Sequence, residues 1–253
     1  MNRAVGLLFG VVVYLLFFAT FLYLIAFVGN LPFVPVTVDR GPILPMAAAA
    51  GIDLALIVVF GLQHSVMARQ GFKRRWTQII PPVIERSSYV LCATAVLALL
   101  MGFWKPLEPI VWSTDNALLV WLLYGLSGLG WVIVLLSTFL LNHFELFGLQ
   151  QVWLNLRGGG SASPRFRTPF FYKLVRHPLY SGFLLAFWST PVMTLGHLLF
   201  AAGMTAYVLI AIRHEERDLV DLFGDEYDRY RRDVGMLTPR FSGSAPTAPP
   251  ASR

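Results

Sequence analysis

The sequence predicts an all-α, polytopic membrane helix bundle of five to six spans, closed by a C-terminal helical hairpin and a cytoplasmic amphipathic helix. Three observations carry that prediction. Hydrophobic residues make up 56% of the 253 residues, charged residues only 13%, and mean hydropathy is +0.63. A soluble domain carries about 25% charge. Long charge-free apolar runs recur along the chain, and lysine and arginine gather between alternate runs. This composition excludes disordered, fibrous and repeat classes. The single cysteine, Cys92, excludes a disulfide framework and a cysteine-based metal site.

The first run, residues 5–28, contains no charge and is too long for a signal-peptide core, so it reads as a mature helix. The second, 46–66, holds Asp53 at membrane depth, where a carboxylate needs a partner; a structural hydrogen bond is the expectation. The third and fourth runs are 88–104 and 117–141. Residues 155–168 are polar and glycine-rich and read as a flexible loop. Gly158-Gly159-Gly160 lacks the lysine and the serine or threonine of a phosphate-binding loop. Runs 179–195 and 197–212, broken at Pro191 and Gly196, predict a hairpin with arms of about 17 residues, short against the ~20 that a span needs. Such a hairpin is tilted or partly re-entrant; five spans with a kink is the alternative. Thr194 and His197 read as turn residues at its tip. Trp76, Trp104, Trp112, Trp121 and Trp153 read as interface anchors.

Charge fixes the orientation. Arg3 precedes the first run. Arg69, Lys73, Arg74, Arg75 and Arg86 follow the second; Arg157, Arg165, Arg167, Lys173 and Arg176 follow the fourth; seven more follow the hairpin. Only Arg40 and Lys105 occupy the other two loops. With the N-terminus inside, 18 of the 20 basic residues face the cytoplasm, which predicts a multi-pass cell-membrane protein with both termini cytoplasmic. The net charge of +6 then reflects orientation and contact with the lipid bilayer, not nucleic acid, for which no module is visible. Leu219, Phe223, Tyr227, Tyr230, Val234 and Leu237 recur every three or four residues, an amphipathic helix expected to lie over whatever opens on the cytoplasmic face. Residues 240–253, rich in serine, alanine and proline, are expected to be disordered.

The densest polar set falls at that face. Asn142, His143 and Glu145 close the fourth run. Tyr172, Lys173, Arg176, His177 and Tyr180 open the hairpin, and His214, Glu215, Glu216 and Arg217 end it. A closed hairpin brings Arg176 and His177 against Glu215 and Glu216; the plain alternative is a set of ion pairs that anchor helix ends. Pro178 suits a first helical turn. Ser181 and Gly182 offer a bare patch of backbone to a ligand, and free amides at the helix start favour a carboxylate.

The string Arg176-His177-Pro178-Leu179-Tyr180-Ser181-Gly182 is followed about 33 residues later by Glu215-Glu216, then by Phe223-Gly224-Asp225-Glu226-Tyr227 with Tyr230 and Pro239. It resembles the C-terminal half of the membrane methyltransferases, the group of isoprenylcysteine carboxyl methyltransferases and phospholipid N-methyltransferases. Asn142-His143-Phe144-Glu145-Leu146-Phe147-Gly148-Leu149 and Thr190-Pro191-Val192-Met193-Thr194-Leu195-Gly196-His197 are similar to the bacterial methanethiol S-methyltransferases, and that likeness extends over most of the chain. The resemblance implies one domain over residues 1–239, with a cofactor part at about 142–239. It implies methyl transfer from S-adenosyl-L-methionine to methanethiol, giving dimethyl sulfide. Neighbouring readings are methylation of a prenyl-cysteine carboxylate or a lipid amine, and a non-enzymatic NnrU-like haem or transport protein.

Carried over by residue, the family pattern puts Arg176, His177, Tyr180, Gly182, Glu215 and Glu216 around the cofactor, with Tyr172, Lys173, Pro178, Ser181 and His214 completing the candidate set. Arg176 or the helix-start amides hold the cofactor carboxylate in this reading. A glutamate accepts from the ribose or the amino group, and Tyr180 and Tyr172 face the sulfonium. Small thiols are mostly protonated at neutral pH, so the protein is expected either to lower the thiol pKa, as an arginine near the sulfur would, or to supply a base. His143, beside Asn142, is the first candidate, with His64 and His177 as alternatives. Neutralisation of thiolate and sulfonium favours a dry pocket. No metal is expected.

Overall fold

The structure, a computed structural model, describes residues 2–159, 166 and 168–240. Asn2 accepts the Ala4 N–H at 3.0 Å and opens α1 (Arg3–Val28), which no charge or proline interrupts. α2 (Met46–Ala68) follows, then the short basic helix α3 (Gln70–Trp76), α4 (Glu85–Phe103) and α5 (Ala117–Leu141), whose start Asn116 caps by accepting the Leu119 N–H at 3.2 Å. Next come α6 (His143–Leu146), α7 (Leu149–Leu156), α8 (Pro178–Trp188), α9 (Leu195–Phe223) and α10 (Asp225–Asp233). β1 (Ile110–Ser113) and β2 (Val192–Thr194) form a small antiparallel pair. Among the described residues five helices, Arg3–Val28, Met46–Ala68, Pro82–Phe103, Ala117–Leu141 and Leu195–Phe223, are long and apolar enough to cross a membrane. They leave leucines such as Leu8, Leu62 and Leu118 on the outside. The protein is a multi-pass membrane protein.

The expected hairpin of two equal arms is corrected. Its first arm, α8, has 11 residues, about 16 Å against a hydrocarbon core of about 30 Å. Its second, α9, has 29 residues and absorbs the start of the expected amphipathic tail. The break falls at Ser189–Thr194, which includes the expected Pro191 but leaves Gly196 inside α9; there β2 pairs with β1 and Thr194 caps α9 by accepting the His197 N–H at 3.0 Å. Gly224, at φ +55°, turns the chain into α10.

α8 is held against α5 by bare backbone. A Cβ on Gly182 would sit 2.7 Å from the Gly130 carbonyl oxygen, and one on Gly130 would sit 2.6 Å from the Gly182 carbonyl oxygen. The two helices run antiparallel. Gly130 precedes the end of α5 by 11 residues and Gly182 follows the start of α8 by four, so α8 starts about 10 Å short of the end of α5. The polar residues at that start are sunk below the helix ends around them.

One half of the bundle is filled. Phe27, Trp104, Phe187 and Phe200 are almost wholly buried and meet edge to face, with ring centroids 5.1–6.0 Å apart. Trp104 is therefore core, not the interface anchor that the sequence suggests; its Nε1 donates to the Val38 carbonyl at 3.0 Å. Asp53 accepts the Lys105 N–H at 2.9 Å, the structural bond expected of it. His197 lies buried at the same end and bonds the Phe187 carbonyl at 2.8 Å. Arg40 and Lys105 belong to this end, while α3, α6, α7 and α10 form the opposite, basic face. Arg165, Arg167, Gly160 and the expected disordered tail from 241 onward lie outside the described residues.

Candidate functional site

The sunken start of α8 meets α9 as the sequence suggests. Arg176 Nε donates to Glu216 Oε1 at 2.7 Å, and His177 Nε2 lies 3.1 Å from the same oxygen. Tyr180 Oη donates to Glu215 Oε2 at 3.1 Å, and His177 Nδ1 is 3.9 Å from that carboxylate. Arg176, His177 and Glu216 are buried, so the Glu216 charge is both paired and hydrogen-bonded. Glu215 differs: its side chain is 46% exposed, which leaves it acceptor capacity.

Arg176 spends Nε and Nη1 within the protein, and only Nη2 has no partner among the described residues. Its Nη1 donates to the Arg231 carbonyl at 2.9 Å and the Val234 carbonyl at 2.5 Å, fastening α10 and the chain after it over the cluster. The backbone N–H groups of Arg176 and His177 donate to the Gly235 and Met236 carbonyls. Pro178 has no N–H to offer. Ser181 Oγ bonds the Leu237 carbonyl at 2.8 Å, and the bare side of Gly182 is filled by α5. The expected ligand patch at Ser181 and Gly182 is thus a packing surface. Tyr172 is buried and its carbonyl accepts Tyr230 Oη at 2.5 Å, while Lys173 is exposed. Burial pushes the Tyr172 phenol above its ordinary value and, with a part from Glu215, keeps it neutral. Burial pushes Tyr230 up to about 12.

The three histidine candidates separate. His143 is buried, and both ring nitrogens are engaged: Nε2 with Tyr14 Oη at 2.9 Å, Nδ1 with Thr138 Oγ1 at 2.8 Å. Thr138 gives its own proton to the Leu135 carbonyl at 2.7 Å, so Nδ1 carries hydrogen and Nε2 accepts from Tyr14. Asn142, at φ +102°, caps α6: it accepts the Glu145 N–H and donates to Glu145 Oε2 and Gln150 Oε1. The pair expected to be catalytic is a fully bonded helix junction. Burial pulls the His143 pKa down.

His64 is open. Its ring lies among Phe60, Tyr89 and Tyr207, with centroids 5.4, 5.2 and 5.9 Å away, and its Nδ1 is buried with no hydrogen-bond partner among the described residues. Tyr207 lies on α9 about two turns before Glu215, which links this aromatic group to the α8 cluster along one helix. Neither tyrosine is singled out by the sequence reading; polar aromatics inside apolar runs are the signal for them. His214 stands apart. It lines a cleft of 430 Å³ between α2, α3 and α9 with Arg69, Phe72 and Arg75. A second cleft, of 560 Å³, lies between α1 and α7 beside Asn142 and Phe144. Neither cleft includes the carboxylates.

This end of the bundle offers an accepting carboxylate, several aromatic faces and one imidazole whose Nδ1 has no partner among the described residues. That set suits a ligand carrying a soft cation and hydroxyl or ammonium donors.

Comparison with known proteins gives long matches. The chain is 52% identical over 237 residues to methanethiol S-methyltransferase 1 of Bradyrhizobium diazoefficiens, covering 94% of this chain and 83% of that protein. It is 48% identical over 239 residues to methanethiol S-methyltransferase of Mycobacterium tuberculosis, covering 94% of this chain and 98% of that protein. It is also 31% identical over 178 residues to Nurim of Xenopus laevis, covering 66% of this chain and 61% of that protein. No family model matches the chain, and no solved structure matches it.

Proposed function

Because the chain belongs to the methanethiol S-methyltransferase family, we propose that it transfers the methyl group of S-adenosylmethionine to methanethiol and releases dimethyl sulfide. It is a methyltransferase. The observation that carries the finer reading is the aromatic group around His64, whose buried Nδ1 has no partner among the described residues.

The residues present fit this donor. Glu215 accepts from its ribose hydroxyls or ammonium, and the faces of Tyr89, Tyr180 and Tyr207 suit its cation. When bound, the donor supplies an electrophilic methyl on a sulfonium and departs as a neutral thioether. His64 Nδ1 takes the thiol proton of methanethiol; the thiol sulfur then forms its new bond to the methyl carbon as the old carbon–sulfur bond breaks. The rings of Phe60, Tyr89 and Tyr207 exclude water from that step, in which opposite charges cancel and a low dielectric helps. The Arg176–Glu216–His177 knot holds the start of α8 and the cover formed by α10 in register with Glu215. The basic face is cytoplasmic in this reading, where the charged donor is dissolved.

The test supplies membranes containing the protein with methanethiol and a donor bearing a trideuterated methyl, and assays the gas phase. Trideuterated dimethyl sulfide is expected, with ethanethiol and hydrogen sulfide as competing substrates. A folded protein that binds the donor yet methylates none of the three thiols refutes the reading.

A further inference from the structure

A donor with an amino-acid end brings a carboxylate to the site, and the cation that sequence reasoning assigns to it is largely engaged. Arg176 spends Nε on Glu216 and Nη1 on two backbone carbonyls, which leaves Nη2; the nearby N–H groups are spent on Gly235 and Met236, and Lys173 points to solvent. Another cation stands beside the aromatic group, with both terminal nitrogens to offer. Arg86 is the second residue of α4, where a positive charge opposes the helix dipole and needs a reason. Its Nε donates to the Leu146 carbonyl of α6 at 2.7 Å, and its guanidinium carbon lies 5.0 Å from the centre of the Tyr89 ring. These contacts fix the plane of the group. Nη1 and Nη2 make no hydrogen bond or ion pair among the described residues.

The Tyr89 ring meets that of His64 at a tilt of 55°, with centroids 5.2 Å apart, and His64 Nδ1 is the buried atom without a partner among the described residues. Glu215, on α9, keeps acceptor capacity beyond its bond from Tyr180, and no ion pair joins it to Arg86 among the described residues. Opposite charges separated in this way match a dipolar amino-acid group, whose carboxylate takes a guanidinium fork and whose ammonium takes a carboxylate.

Resting on the methyl-donor reading above, we infer that Arg86 receives the carboxylate of S-adenosylmethionine through its terminal nitrogens, leaving Glu215 to the ammonium or ribose. Arg176 is a positioning residue.

The test is equilibrium binding, by calorimetry, of S-adenosylmethionine and of decarboxylated S-adenosylmethionine to the full chain in nanodiscs. Wild type is expected to prefer the carboxylated ligand by about 10- to 100-fold, the range of one charge-assisted pair. Arg86→Gln is expected to abolish that preference while binding the decarboxylated ligand within about twofold of wild type. Absence of a preference in wild type overturns the assignment and needs no variant to fold. Equal loss of both ligands in Arg86→Gln also overturns it, since the residue then acts only by holding α6 through Leu146. Wild type that binds neither ligand retires the methyl-donor reading itself.

Discussion

Arg176 and Glu216, 40 residues apart in the chain, meet at 2.7 Å with side chains only 8% and 12% exposed. Removing one partner strands the other in a buried site. Arg176→Ala or Glu216→Ala is expected to cost about 3–5 kcal/mol, read as a lowered thermal midpoint in detergent. Arg176→Met combined with Glu216→Met should recover much of that loss, because no lone charge remains. A double variant no more stable than either single one would contradict this account.

His64 is expected to govern turnover and not donor affinity. His64→Gln should lower kcat by about 10²–10⁴-fold, the usual contribution of a positioned base. Calorimetric affinity for S-adenosylmethionine should stay within about threefold, since a neutral ring contributes no charge-assisted bond. A variant with wild-type kcat removes the imidazole from proton transfer.

His143 sets an acid limit on stability. Burial holds its folded pKa below the ordinary 6.5, so the unfolded chain binds the proton more readily. The stabilisation is complete above that value and is lost as pH falls through it. The thermal midpoint of wild type should drop between about pH 7.5 and about pH 5.5, and His143→Gln should drop less over the same interval. Parallel curves for the two proteins would place the acid sensitivity elsewhere.

Gly182 is expected to tolerate no side chain. Gly182→Ala places a methyl 2.7 Å from the Gly130 carbonyl oxygen, an atom of backbone that cannot swing aside. The cost of such overpacking is about 1–3 kcal/mol, and donor binding should weaken with it because α8 carries His177 and Tyr180. The measurements are the thermal midpoint and donor affinity of the same preparation. Wild-type values in both would mean that α5 and α8 can separate freely.

Much of this architecture is legible in the sequence where local chemistry decides it. The fourth apolar run, 117–141, coincides with α5 because Asn116 caps one end and Asn142 turns the other. The meeting of Arg176 and His177 with Glu215 and Glu216 is legible because two apolar runs have to return the chain to one face. The unequal hairpin is not, since the contact of Gly182 with Gly130 and the pairing of β2 with β1 join segments remote in sequence. The division of labour among the histidines is hidden for the same reason: Tyr14 and Thr138 occupy His143, while nothing among the described residues occupies His64 Nδ1. Arg86 passes as one of five loop charges, although its place in a first helical turn beside Tyr89 distinguishes it.

The interlocked rings of Phe27, Trp104, Phe187 and Phe200 plug the bundle at the end remote from the Arg176–Glu216 cluster. A plug of that kind opposes the passage of water and ions. A membrane that stores energy as an ion gradient can therefore carry these buried charges near one face without a leak.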